Sequence, residues 1–176
     1  MTERLILRRW RDSDREPRAA MTADPEVMEF YPRTLDRAAS DANIDFLDGN
    51  LERFGYGFWA LEMQATGQFI GCAGIQDVPF EASFTPAVEI GWQLTRDAWG
   101  HGYATEAARG VLAHAFGTLG LSEIVAFAVK TNYRSRAVME RLGMTHNPAD
   151  DFDRPSIPEG NPHRRHVLYR LKAAEA

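Results

Sequence analysis

The strongest chemical signal in the sequence is the run Thr95-Arg96-Asp97-Ala98-Trp99-Gly100-His101-Gly102-Tyr103-Ala104-Thr105-Glu106-Ala107. A strand-like segment enters Gly100-His101-Gly102, and a helical period opens directly after it. Two glycines lack Cβ atoms, so the backbone there can approach a ligand closely. The first turn of the following helix leaves N–H groups without intrahelical acceptors and carries partial positive charge. Together these features make a site for an anion, most often a phosphate. Several readings compete. A P-loop needs Gly-Lys followed by Ser or Thr at the end of a longer loop, and the run has none. A dinucleotide fingerprint needs a third small residue where Thr105 stands, and a βαβ context that the preceding segments do not offer. A pyrophosphate loop for coenzyme A fits, as does a glycine-rich connector with no ligand.

Other residues invite chemical readings of different strength. Glu89 interrupts a mostly apolar strand pattern, on the side opposite Val88, Ile90, Trp92 and Leu94. A carboxylate there costs free energy unless it is solvated or paired. It is either a proton acceptor or a structural carboxylate bonded to a backbone N–H or an arginine. Cys72 lies in Phe69-Ile70-Gly71-Cys72-Ala73-Gly74-Ile75 and reads as a small buried side chain. The cluster His163-Arg164-Arg165-His166 reads as a solvated strand edge, and no metal constellation is visible. Trp59 and Trp92 read as core. The segment Asn147–His163 carries four prolines and four acids, an irregular loop of the kind that is functional or mobile.

The elements that must position these residues follow from periodicity. Leu5-Ile6-Leu7 is a short strand and Ser13–Met21 a short helix. Leu35–Phe54 has a helical period and stops at Gly55. Gly57–Met63, Gln68–Gln76 and Pro86–Thr95 read as strands of an antiparallel meander, with Asp77–Thr85 as a loop. In the last strand Glu89, Gly91, Gln93 and Thr95 share one face. Ala104, Ala107, Ala108, Val111, Leu112, Ala115 and Leu119 trace one face of a helix. Ile124–Val129 is continuously apolar, as in a strand covered on both faces. A helix from Asn132 to Leu142 closes at Gly143, Met144–His146 forms a short strand, and His166–Leu171 forms the last one.

Composition limits the classes available. The 176 residues set an expectation of one domain over 1–176, and 44% hydrophobic with 26% charged residues is a globular mixture. The net charge of −5 disfavours a nucleic-acid partner. The single cysteine excludes an intramolecular disulfide framework. The opening Met1–Arg9 has only three consecutive apolar residues, so no secretory leader is expected, and no apolar run is long enough to span a membrane. The expected location is the cytoplasm.

Four segments, in order, then resemble one family. Trp99-Gly100-His101-Gly102-Tyr103-Ala104 is similar to the acetyl-CoA loop of the GNAT N-acetyltransferase superfamily, with Trp99 in place of the usual first residue. That variant is at home in the branch of ribosomal-protein N-terminal alanine and serine acetyltransferases. Thr2–Arg8, Val88–Leu94 and Asn132–Met144 match the same branch, and His166-Val167-Leu168-Tyr169 fits its ending. The resemblance implies an α/β (α+β) fold with a mixed, mostly antiparallel sheet of about seven strands between helices on both faces.

It also implies transfer of acetyl from acetyl-CoA to an amine by direct attack, with no metal. The amine must lose a proton, the carbonyl oxygen needs donors as it gains charge, and the departing thiolate benefits from a hydrogen bond. By resemblance Glu89 is the base, acting on the acceptor directly or through a water. Many members place a tyrosine acid where this chain has Met139, which cannot donate. The branch instead places a serine at Ser135, with Asn132 as the helix cap and Tyr133 as a reserve donor. The backbone of Gly100, His101, Gly102, Tyr103, Ala104 and Thr105 would hold the pyrophosphate. Leu94 would pair its backbone with the pantetheine, and Asn132 and Arg136 would touch the pantetheine or the nucleotide end. The cofactor would wedge where the strand ending at Thr95 splays from Ile124–Val129. The acceptor is expected to be a peptide or protein N-terminus or a small-molecule amine, and a homodimer is compatible with the resemblance. Asp150, Asp151 and Asp153 beside Phe152 would favour a cationic acceptor. A phosphate-loop nucleotide binder and a non-catalytic acyl-CoA sensor are the rival functions.

Overall fold

Short-range chemistry sets most element boundaries in the computed structural model, which describes residues 1–175. Strand β1 (Leu5–Arg8) is followed by a 3-10 turn at Asp12–Asp14 and helix α1 (Arg15–Ala23). The helix starts two residues later than Ser13 because the Asp14 carboxylate accepts from Arg8 and from the Arg11 N–H, which fixes a tight turn ahead of it. Helix α2 (Arg37–Phe54) is capped by Asp36, whose side chain accepts from the Ala39 N–H, and Leu35 is left outside. Strands β2 (Phe58–Met63), β3 (Phe69–Asp77) and β4 (Val88–Leu94) follow, then helix α3 (Tyr103–Gly117) and strand β5 (Glu123–Val129). Helix α4 (Tyr133–Arg141) is capped by Asn132, with Gly143 after it in the left-handed region.

The Pro-rich segment is not wholly irregular. It contains a 3-10 turn at Pro148–Asp150 and the strand β7 (Phe152–Asp153), between β6 (Thr145–His146) and β8 (Arg165–Lys172). Two residues are too few to show a period, so the sequence gives β7 no signature.

The described residues form a mixed, mostly antiparallel sheet with the pairing order β1-β2-β3-β4-β5-β8-β6 and β7 on β8, flanked by helices. The eighth strand beyond the expected seven is β7. The pairing of β4 with β5 is parallel and registers at Glu89↔Val125. Each β5 residue from Glu123 to Val129 is registered antiparallel with β8.

Two compact units share this chain. The first comprises Met1–Ile75 and Gly91–Val111, the second Gln76–Ile90 and the chain from Leu112 on. The first has a core of Trp10, Met21, Val27, Ile44, Leu47, Leu51, Ala60, Phe69 and Cys72, with Trp59 and Trp99 packed against it. Cys72 is a buried free thiol, as its apolar surroundings predict. The second unit gathers Phe84, Val125 and Leu168 with the half-buried Phe80, Phe127 and Phe152. His166 lies among these aromatics, 4% exposed, with ring centroids 5.6 Å from Phe152 and 6.1 Å from Phe127. Reading His163–His166 as a wholly solvated edge is therefore wrong for His166: strand alternation turns it inward while Arg165 faces out. No helix among the described residues is long and apolar enough to cross a membrane.

Candidate active site

The loop after β4 is built by local hydrogen bonds. A 3-10 turn at Arg96–Ala98 follows Leu94, and Trp99 Nε1 donates back to the Leu94 carbonyl at 3.1 Å. Gly100 and Gly102 have φ of 79° and 80°, a region where a Cβ is strained. The turn delivers the chain to α3, whose first N–H groups lack intrahelical partners. Leu94, Trp99, Gly100, His101, Gly102, Tyr103, Ala104 and Thr105 are thus brought onto one short path. His101 is exposed and Thr105 is buried.

The N-terminal residues clamp that path. The Glu106 carboxylate accepts from Thr2 Oγ1 at 2.6 Å and from the Arg4 N–H and Nε at 2.7 Å each. Arg4 Nη1 also donates to the His101 carbonyl at 3.1 Å, and its guanidinium lies 4.6 Å from the Tyr103 ring centroid. Desolvation alone would raise the Glu106 carboxyl. The Thr2 hydroxyl and the two Arg4 donors outweigh it and hold the group below the usual carboxylate range. The turn carbonyl of His101 is thus tied back to Arg4.

In the second unit Glu89 is half-buried on β4. Burial pushes its carboxyl above the ordinary range, while a 2.7 Å hydrogen bond from Gln76 Nε2 and the charge of Arg154 pull it down. A carboxylate raised by desolvation is a stronger base than one in water. Asn132 Oδ1 accepts from the Ser135 N–H at 3.1 Å, so Asn132 is the helix cap as expected. Ser135 is half-buried, and its hydroxyl bonds no described group. Arg136 donates to the Lys130 carbonyl at 3.1 Å and bonds Tyr169, whose hydroxyl donates to Glu140. Tyr133 is 70% exposed and Met139 is buried. No hydrogen bond joins Glu89 to Ser135.

The acids of the Pro-rich loop already have partners. Asp150 accepts from Arg170, Asp151 bonds His146 at 2.7 Å, and Asp153 meets Arg164 and Arg165. Asp150 and Asp153 thus stand beside arginines, and Asp151 beside a histidine. Sequence reasoning missed Gln76, Arg154 and the Arg4–Glu106 clamp, although Thr2–Arg8 and Glu106 both lie in segments singled out for other reasons. Among the described residues no group of three or more His, Cys, Asp or Glu is arranged to hold a metal ion.

A family model described as an acetyltransferase (GNAT) domain matches residues 4–145, which include Arg4 and Glu106, the glycine turn, Glu89 and α4. The chain belongs to the GNAT acetyltransferase family. This GNAT enzyme is 34% identical to the FsC-acetyl coenzyme A-N(2)-transacetylase of Aspergillus fumigatus, over 83% of its own chain and 66% of that relative. An acetyltransferase from Agrobacterium tumefaciens is similar in structure, with a TM-score of 0.77 and 30% identity, covering 97% of this chain and 92% of the other. The ribosomal-protein-S5-alanine acetyltransferase of Vibrio fischeri shares the fold at a TM-score of 0.76 and 15% identity, covering 98% and 95% of the two chains. The resemblance read from the four sequence segments thus holds for the GNAT family, and the likeness to the ribosomal-protein branch holds for the fold.

Proposed function

We propose that this GNAT acetyltransferase moves an acetyl group from acetyl-CoA to a primary amine by direct attack. The observation that carries the reading is the clamped glycine turn at the start of α3, whose N–H groups suit a pyrophosphate. Gly100 to Thr105 hold that group through their backbone. Leu94 is assigned to pair its backbone with the pantetheine amides, and Asn132 and Arg136 are assigned to the pantetheine or the nucleotide end. Glu89 removes the proton from the acceptor ammonium, directly or through a water. The free amine then attacks the acetyl carbonyl, and a tetrahedral oxyanion forms. As it collapses, the C–S bond breaks, the nitrogen's surplus proton passes to the departing thiolate, and the Ser135 hydroxyl hydrogen-bonds that sulfur. The acceptor class is a peptide or protein N-terminal amine or a small-molecule amine; the Vibrio fischeri neighbour is named for the alanine of a ribosomal protein. The raised carboxyl of Glu89 and the uncommitted hydroxyl of Ser135 support these roles.

The test is thiol release from acetyl-CoA over a panel of peptide N-termini, polyamines, aminoglycosides and amino acids, with Glu89→Gln beside the native enzyme. Expected is release with one acceptor class and a loss of about 10²–10⁴-fold in kcat for Glu89→Gln. Binding of acetyl-CoA with no thiol release from any amine would make the protein a sensor instead.

A further inference from the structure

We propose that Arg18, with Asn43 and Gln93, forms a binding site for a carboxylate carried by the acceptor amine, an assignment that rests on the acetyl-transfer reading above. Arg18 stands on α1 in the first unit and is 5% exposed. Taking a guanidinium out of water without a counter-charge is costly, so buried charges are normally paired. The same unit obeys that rule for its buried carboxylate: Asp14 is gripped by both terminal nitrogens of Arg8, at 2.7 and 2.8 Å. Arg18 pairs with no described carboxylate.

Its partners are neutral. Nη1 donates to Gln93 Oε1 at 2.8 Å and approaches Cys72 Sγ at 3.5 Å, and Nη2 donates to Asn43 Oδ1 at 3.0 Å. Nε is buried with no hydrogen-bond partner. Ser40, three residues before Asn43 on α2, is fully buried, and its Oγ is likewise unpartnered. One amide oxygen therefore sits on each terminal nitrogen, the places that the two oxygens of a carboxylate take on a guanidinium fork. These amides are held loosely. The other end of Gln93 donates only to Met28 Sδ, a weak acceptor, and both Gln93 and Asn43 are half-buried. They can turn aside and admit an anion that supplies the missing charge.

The deciding experiment uses the native full chain and needs no variant to fold. Arginine is labelled with 15N, and the Nε–Hε signal of Arg18 is assigned through its contact with Trp10, whose ring centroid lies 5.6 Å from the guanidinium. The protein is titrated with sodium propionate and, separately, with propionamide at matched ionic strength. Expected is a saturable shift of the Arg18 signal with propionate alone. No shift, or an equal shift with propionamide, overturns the site. A second arm places the carboxylate on the acceptor: propionate should inhibit thiol release competitively with the best amine and not with acetyl-CoA. Inhibition competitive with acetyl-CoA, or none, overturns that assignment. If no amine releases thiol, the acetyl-transfer reading fails and the acceptor assignment falls with it, while the titration still decides whether Arg18 takes a carboxylate. Arg18→Met separates this from a packing role: it should abolish inhibition by propionate with thermal stability kept or raised, whereas a structural arginine would lower it.

Discussion

Gly102→Ala gives the sharpest test of the glycine turn. The residue has a φ of 80°, and a Cβ built there meets only Arg4 Nη2, at an ordinary 3.7 Å. No clash contributes, so the whole cost is the backbone strain of an L-residue at positive φ, roughly 1–2 kcal/mol. That cost must appear in one of two places. If the turn keeps its shape, unfolding free energy measured in urea falls by about 1–2 kcal/mol and acetyl-CoA affinity is preserved. If the turn relaxes to escape the strain, stability holds and affinity falls by roughly 5–30-fold, since about 1.4 kcal/mol is a factor of ten. The two losses together should come to the same total. Gly49→Ala is the control. Gly49 lies inside α2, and its added Cβ would meet nothing within 4 Å. That change should stabilise the protein by about 0.5–1 kcal/mol without touching affinity. Urea unfolding and isothermal titration with acetyl-CoA measure both quantities. A Gly102→Ala protein native in both would refute the claim that the turn requires positive φ. An affinity loss far beyond about 30-fold would refute the claim that strain alone is at work.

Four further outcomes follow from the site. The proposed base role requires Glu89 ionised, so activity should be lost as pH falls through the Glu89 pKa. Gln76→Leu removes a hydrogen bond that lowers this pKa, and the acidic limb of the kcat/KM profile should move to higher pH. Because the folded-state pKa of Glu89 is raised, its contribution to stability is present below the unfolded value and lost as pH rises through the folded one. Glu89→Gln should therefore melt higher than the native enzyme at neutral pH while losing activity. Glu106 has the opposite sign. Its carboxyl is held low, so its stability is present above the unfolded value of about 4.3 and lost as pH falls through the folded value. Glu106→Gln should flatten the acid side of the stability curve below about pH 4.3 and raise KM for acetyl-CoA. Ser135→Ala should lower kcat by about 10²-fold or more with little change in melting temperature, because the Asn132 cap uses the Ser135 backbone and not its hydroxyl.

The glycine turn, α3 and the α4 cap were legible because each rests on residues within a few positions of one another. Gly100 and Gly102 precede a helical period, and Asn132 lies three residues from the N–H it caps. The groups that tune the site were not legible in this way. Arg4 and Glu106 are 102 residues apart, and Arg18 and Gln93 are 75 apart. No local pattern encodes a contact of that separation. The acidic loop shows the reverse case: its charges stand out in the sequence, and their partners Arg170, His146, Arg164 and Arg165 become visible only in the fold.

The Arg4–Glu106 clamp has a practical consequence for anyone handling the protein. Thr2 and Arg4 are among the first residues of the chain, and they brace the turn on which cofactor affinity is proposed to depend. A change of Thr2 or Arg4 made for cloning convenience would loosen that brace, so kinetic constants measured on such a protein would report the change as well as the enzyme. Keeping Thr2 and Arg4 unaltered keeps the turn as this sequence sets it.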